Sequence, residues 1–557
     1  MNPSDQGPDN RSAATGGPKS SPAQLQQLFG EAVAHHQSQR LAQADQLYRR
    51  ILAEAPNHPE TLHLLGMLTF QRGQPREALA LVSQAIEVDN RNAQYHFHQG
   101  IILQSLGALD EAAGAYQNAL GLNGALVEAL SNLGNVHRER GRFDDAVEAL
   151  EQVVRMRPDF APGYNNLGVA LKDRGEAQRA IDAYQQALRL NPNFAEAQAN
   201  VGIALVSLGR PQEAVQAFER AVAVNPRYVK GHFNLGKTLL SLGQTNAAIK
   251  AFRHALQIEP SFAKAHHMLG LAHLRERQPD AALSAFRASA DLAWNHGRPS
   301  GVNAAFPSRL RHDADQAQYL LEKGIWTDEH RQYATALRAA SERLAASNVK
   351  NEPVRLTPAE AEQLAPSFNR ILHYAQCPTL AQGALNPALD VADIEQRYNA
   401  SQPEIVYVDA LLREETLLAL RQFCFESTIW KTNFNDGYLG AFLSEGFSSP
   451  LLLQVAEELR TTFPNIFRGH PLKQAWAFKQ DNQLNPVGIH ADAAAVNVNL
   501  WITQQDANLD PSSGGLTVWN KEAPSDWDFA RYNSVEHKPK IREFLQASGA
   551  EPITVPY

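Results

Sequence analysis

The sequence predicts a multidomain chain in three parts. An all-α right-handed superhelix of paired helices covers residues 23–292, and a helical connector covers 293–402. A double-stranded β-helix, or jelly roll, incomplete in its last strands, covers 403–557. Three observations carry this reading: small residues recur every 34 positions through the first half, the period is lost after Trp294, and strand-like alternation takes over near residue 403.

The repeat is read from four series. Glycine stands at Gly66, Gly100, Gly134, Gly168, Gly202, Gly236 and Gly270, and alanine at Ala44, Ala78, Ala112, Ala146, Ala180, Ala214, Ala248 and Ala282. A second glycine series runs through Gly73, Gly107, Gly141, Gly175, Gly209 and Gly243. A bulky residue follows each alanine by four: Tyr48, Val82, Tyr116, Leu150, Tyr184, Phe218, Phe252 and Phe286. The first glycine and the alanine are small so that two helices approach closely. The second glycine permits a left-handed turn between them, and the bulky residue fills the groove one turn on. Prolines such as Pro158, Pro192 and Pro226 end the second helix of a unit.

This pattern resembles the tetratricopeptide repeat, with eight units, and the resemblance implies a superhelix whose concave face binds protein or extended peptide. Two residues before the early glycine, asparagine recurs at Asn132, Asn166, Asn200 and Asn234. That ladder resembles the superhelical repeats of O-linked N-acetylglucosamine transferase, in which inward asparagines hold a peptide backbone. An amide donates and accepts together, which matches a peptide group without reading side chains. The competing reading is four solvated polar residues on an exposed helix face.

Composition narrows the function classes. A formal charge of −8 leaves no basic face for nucleic acid, and no apolar run is long enough to span a bilayer. Residues 1–22 lack the apolar middle of a secretory signal and read as a disordered tail. Cys377 and Cys424 are too few for a disulfide framework and read as reduced thiols, which points to the cytoplasm.

In the connector, the string HDAD holds His312, Asp313 and Asp315. Neighbours on a helix point apart, so these are expected as polar residues of a helix N-terminus rather than metal ligands. Residues 346–402 carry no chemical signal.

Beyond 403, strands are expected at 404–408, 474–480, 495–503, 514–520 and 553–557, with helices at 413–424 and 449–460. In GIHADAAAVNVNLWIT (488–503), His490 and Asp492 stand two apart just before a strand. Imidazole and carboxylate, joined by a second imidazole, make the facial triad of non-haem iron oxygenases. On the strand, Asn497, Asn499 and Trp501 share one face. Amides turned into a sheet interior must bond something, either a polar ligand in a cavity or one another.

The strings YLGAFLSEGFSSPLLLQVAEELR, QAWAFK, GIHADAAAVNVNLWIT, SGGLTVW and APSDWDFARYN resemble the Fe(II)/2-oxoglutarate-dependent dioxygenases, in particular bacterial members joined to tetratricopeptide repeats. The resemblance implies Fe(II) and 2-oxoglutarate, with His490 and Asp492 as ligands and catalytic residues and Asn497, Asn499 and Trp501 beside the co-substrate. It also requires a distal histidine and a basic anchor for the co-substrate. After His490 the sequence offers only His537, in the polar run SVEHKPK, with Lys538, Lys540 and Arg542 in the same unsuitable setting. The strands expected are fewer than the eight a jelly roll needs, and the last residues, ITVPY, look like a strand. The expectation is a chain cut before its third metal ligand, and so inactive as these 557 residues. Two functions stand: an oxygenase whose repeats recruit a protein or peptide, and a repeat scaffold with a silent oxygenase-like domain. A glycosyltransferase is excluded, because the residues after the repeats are too few and lack a nucleotide-binding glycine pattern.

Overall fold

The structure is a computed structural model that describes residues 21–295, 302–345, 352–401, 404–434, 438–480, 498–500, 516–519 and 538–555. The repeats are helix pairs: α1 (Pro22–Gln37) with α2 (Leu41–Glu54), α3 (Pro59–Gln71) with α4 (Pro75–Val88), α5 (Ala93–Ser105) with α6 (Leu109–Leu122), and α7 (Val127–Glu139) with α8 (Phe143–Met156). They continue as α9 (Ala161–Asp173) with α10 (Ala177–Leu190), α11 (Ala195–Ser207) with α12 (Pro211–Val224), α13 (Val229–Ser241) with α14 (Thr245–Ile258), and α15 (Ala263–Arg275) with α16 (Pro279–Trp294).

The small and bulky series prove to be partners. A Cβ placed on any glycine from Gly66 to Gly270 in the first series would lie under 3.0 Å from the bulky residue 16 positions on, as with Gly100 and Tyr116 or Gly202 and Phe218. The eight periodic alanines are fully buried. Each first helix closes with a Schellman turn, in which an N–H bonds the carbonyl five residues back, as from Arg142 to His137 (2.8 Å). The turn requires positive φ, and Gly73 through Gly243 supply it at +71° to +96°. At the two ends of this series the same turn is made without glycine, by Gln39 (φ 58°) and Arg277 (φ 56°).

The chain divides into two compact units, Met1–Gly231 and His232–Tyr557. In the second unit the last repeat continues into non-repetitive structure. Phe286 of α16 packs with Leu443 and Leu453, and Ser289 Oγ donates to Ser444 O (3.2 Å). The outer face of α16 is therefore covered, as a terminal repeat requires.

Short antiparallel strands β1 (Ala304–Ala305) and β2 (Val354–Arg355) flank α17 (Pro307–Glu322) and α18 (Arg331–Ala345), and α19 (Pro358–Leu364) follows. Leu310, Leu320, Trp326, Leu337, Leu344 and Leu364 close a core of their own among these helices. The rest holds α20 (Val391–Ala400), α21 (Glu414–Glu426), β3 (Thr432–Asn433), β4 (Tyr438–Phe442), α22 (Pro450–Thr462), α23 (Pro464–Phe467), β5 (Trp476–Gln480), β6 (Leu516–Trp519), α24 (Lys538–Ala547) and β7 (Pro552–Val555). Strands β3, β4 and β5 form an antiparallel sheet in that order, and β6 pairs antiparallel with β7.

Strands expected at 474–480, 514–520 and 553–557 are present as β5, β6 and β7, and the two expected helices as α21 and α22. Among the described residues of 403–557, one sheet of three strands and one of two stand where a jelly roll was expected. Residues 404–408 are a loop, not the expected strand. Ser401 Oγ accepts from Ile405 N (2.9 Å) and donates to Ile405 O (2.8 Å), spending locally the groups a ladder would use. Cys377 and Cys424 are free thiols. No helix among the described residues is long and apolar enough to cross a membrane.

Candidate functional site

On the first helices of the repeats, side-chain bonds between neighbouring units join residues 35 apart, one repeat plus one residue. At the later turns of these helices, His36 meets Gln71 (3.2 Å), Gln104 donates to Glu139 (3.0 Å) and Arg138 to Asp173 (3.1 Å). In the second unit Arg275 bonds Leu240 O at the same register. Nearer the start of the helices, Asn166 Nδ2 donates to Ser131 Oγ (3.3 Å) and Asn200 Nδ2 to Asn165 Oδ1 (2.9 Å).

Asn166 and Asn200 are thus half-buried and bonded to the preceding repeat. At Asn132 the corresponding earlier residue is Phe97, which offers no acceptor. Asn132 Nδ2 turns instead to Tyr116 Oη on α6 (3.4 Å), which itself donates to Gln104 Oε1 (3.1 Å). Burial pushes the Tyr116 phenol up to about 12, against the Asn132 bond, so it remains a neutral partner. Each such bond takes one amide N–H, and an amide has a second N–H and a carbonyl oxygen besides. Asn234 is half-buried at the same repeat position in the second unit.

Of the residues expected at a metal centre, His490, Asp492, Asn497 and Trp501 lie outside the described residues, as does His537. Asn499 is exposed, and Leu500 packs on the core around Phe423 and Leu439. Among the described residues no three His, Cys, Asp or Glu side chains converge as a metal site.

One cluster departs from its sequence reading. His312 and Asp313 are not polar residues of a helix N-terminus; they are buried in the second turn of α17, and only Asp315 is exposed, paired with Arg338 (3.1 Å). Nor do the neighbours point apart: His312 Nδ1 meets Asp313 Oδ1 at 3.0 Å. Arg309, 1% exposed, donates from Nε to Asp313 Oδ2 (2.7 Å), from Nη1 to Lys431 O (2.9 Å) and from Nη2 to Phe368 O (3.2 Å).

Burial alone would lift the Asp313 carboxyl, but Arg309 and Lys431 outweigh it and hold it well below the usual carboxylate range. Burial, with repulsion from Arg309, pushes the Lys431 ammonium down to about 7 against the pull of Asp313. Burial likewise pushes His312 down to about 4, again against Asp313. The cluster clasps α17 to the start of β3. Its sequence signal was the spacing Arg309, Asp313, Gln316, Leu320, one helix face shared by charged and apolar residues.

With this geometry in place, the comparisons are specific about the first half. Models described as tetratricopeptide repeat match residues 35–96, 88–159 and, in four overlapping matches, 131–297. Residues 35–297 are tetratricopeptide repeats.

Among solved structures, the tetratricopeptide array is similar to a crystal structure of MamA, at 29% identity over 29% of this chain and 94% of that one, with a TM-score of 0.27. It is also similar to YrrB, a tetratricopeptide repeat protein with an unusual peptide-binding site, at 25% identity over 33% and 96%, with a TM-score of 0.27. A tetratricopeptide repeat protein from Parabacteroides merdae is 15% identical over 45% and 99%, with a TM-score of 0.40. Curated proteins give no match.

Proposed function

We propose that the chain is a scaffold whose tetratricopeptide repeats hold an extended peptide or protein segment by its backbone. The observation that carries this is the run Asn132, Asn166 and Asn200, half-buried at one register of successive first helices, with Asn166 and Asn200 each held by the unit before. A side chain fixed in this way loses little entropy when it binds. Asn234 repeats the position in the second unit.

The test is to select twelve-residue peptides from a random phage-displayed library on the intact chain and measure their affinities. Replacing Asn166 and Asn200 together by alanine should weaken the selected peptides by ~10-fold or more, at roughly 1 kcal/mol per lost hydrogen bond. Unchanged affinity overturns the reading.

A second reading rests on the strings GIHADAAAVNVNLWIT and SGGLTVW: residues 403–557 belong to an Fe(II)/2-oxoglutarate dioxygenase that acts on the segment the repeats present. His490 and Asp492 would hold the iron. Bound with 2-oxoglutarate, the iron would activate O2 for hydroxylation, with two electrons drawn from the substrate and two from 2-oxoglutarate. Calorimetric Fe(II) binding by the chain should be lost in His490→Ala, and equal binding by that variant removes this reading.

A further inference from the structure

The asparagine register continues one unit toward the N-terminus, where position 98, 34 residues before Asn132, holds a histidine. His98 is half-buried like the asparagines, and like Asn166 and Asn200 it bonds the residue 35 positions earlier: its Nδ1 meets His63 Nε2 at 2.7 Å. One unit further back the register holds Leu64, an apolar side chain packed with Ala32, Tyr48 and Leu65. The polar series in the first unit therefore begins at His98.

We infer that His98 is the first rung of the peptide-holding ladder, bonding the main chain of an extended peptide through Nε2 while His63 fixes the ring through Nδ1. This rests on the peptide-binding reading above and extends it by a residue type the asparagine pattern does not include. A neutral imidazole has one donor and one acceptor nitrogen, so it shares with an amide the capacity to meet either side of a peptide group.

His63 is suited to the positioning role. It is buried beneath the Tyr95 ring (4.7 Å between centroids). Burial, with the nearby His98, pushes its imidazole down to about 4, so it is neutral near pH 7. One proton is then shared across the 2.7 Å contact, and Nε2 of His98 is the nitrogen left for a ligand. The backbone of Gln94, four residues back on α5, also bonds the His98 ring and helps His63 hold it.

Reach sets the size of the ligand. Packed helices lie about 10 Å apart and an extended chain advances about 3.3 Å per residue. Rungs are thus separated by about three peptide residues, and a peptide touching both His98 and Asn200 needs roughly ten.

The experiment uses the intact chain and a fluorescein-labelled twelve-residue peptide selected from the random library, together with its six-residue halves. His98→Ala should weaken the twelve-residue peptide about fivefold, the worth of one hydrogen bond, and should affect only one of the halves. His98→Asn should restore the affinity, because it places the ladder's own side chain at the rung. His63→Phe keeps the ring packing, removes the bond to His98, and should give a smaller loss. Full affinity in His98→Ala, while Asn166→Ala/Asn200→Ala binds weakly, overturns the rung and leaves the ladder standing. Full affinity in both variants overturns the ladder itself, and the rung with it. If His98→Ala loses its helical circular dichroism, His98→Asn decides alone: loss of affinity there means the histidine is not acting as a rung.

Discussion

Within the repeats, the bonds that tie one unit to the next join residues about one repeat apart, 35 positions from Asn200 to Asn165 and from Arg138 to Asp173, and 28 from Arg179 to Glu151. Beyond Trp294, Arg309 reaches Lys431 across 122 residues, and Gln316 reaches Phe425 and Ser427 across 109 and 111. The first region therefore repeats one short-range solution, and each unit needs only its neighbours. The second closes a core whose partners are remote in the chain, so ordering any part of it requires the rest, at a larger loop-closure cost. Damage in the first region should stay local, and damage in the second should spread.

The largest expected effect breaks the long-range clasp. Arg309→Ala removes the hydrogen-bonded counter-charge of the buried Asp313 carboxylate, leaving it only the more distant Lys431 ammonium, and should destabilise the second unit by about 3–5 kcal/mol. Replacing both members by apolar residues, as Arg309→Met with Asp313→Leu, should recover most of that. The check is chemical denaturation followed by tryptophan fluorescence, since six of the seven tryptophans lie beyond residue 300. Equal stability of Arg309→Ala and the unaltered chain would mean the clasp is incidental.

A smaller effect concerns pH. Lys431 titrates near 7 when folded and at 10.5 when free, so between these values the unfolded chain carries more protons than the native one. Stability from this residue therefore rises with pH across that window. Lys431→Met should be more stable than the unaltered chain at pH 7, with the gap closing by pH 10. Parallel denaturation curves at both pH values would contradict the burial of this ammonium.

The smallest effect probes the short-range solution. Gln39 adopts a left-handed turn that glycine supplies in six other units. Gln39→Gly removes strain of about 1–2 kcal/mol against an entropy cost of about 0.5–1 kcal/mol. A net gain of about 0.5 kcal/mol is expected, read as a higher melting temperature of the first transition. A loss would show that the exposed Gln39 side chain contributes something the backbone does not explain.

How much was legible divides along the same line. Gly100 and Tyr116 each stood in a legible series because a fixed period places every unit in the same surroundings, and the structure adds that the two series pack on each other. The asparagine register was likewise plain, although its bonds to Ser131 and Asn165 were not, since they depend on the one-residue offset between packed helices. His98 stands outside the asparagine pattern because a neutral donor and acceptor, the property it shares with those amides, is not confined to one residue type. His312 and Asp313 depart from the expectation for adjacent helix residues because a third element, the chain around Lys431, covers both.

The sequence by itself determined the tetratricopeptide array, its turns, its small-to-large contacts and the ladder position, since each is set by residues within about one repeat of one another. Only the tertiary structure decided that 404–408 is a loop, that α16 is covered by the residues around Leu443, and that a charged cluster lies buried in α17. Those outcomes depend on which distant surfaces meet, and burial, which sets the cost of a charge or an unpaired amide, is a property of the assembled fold rather than of any local string.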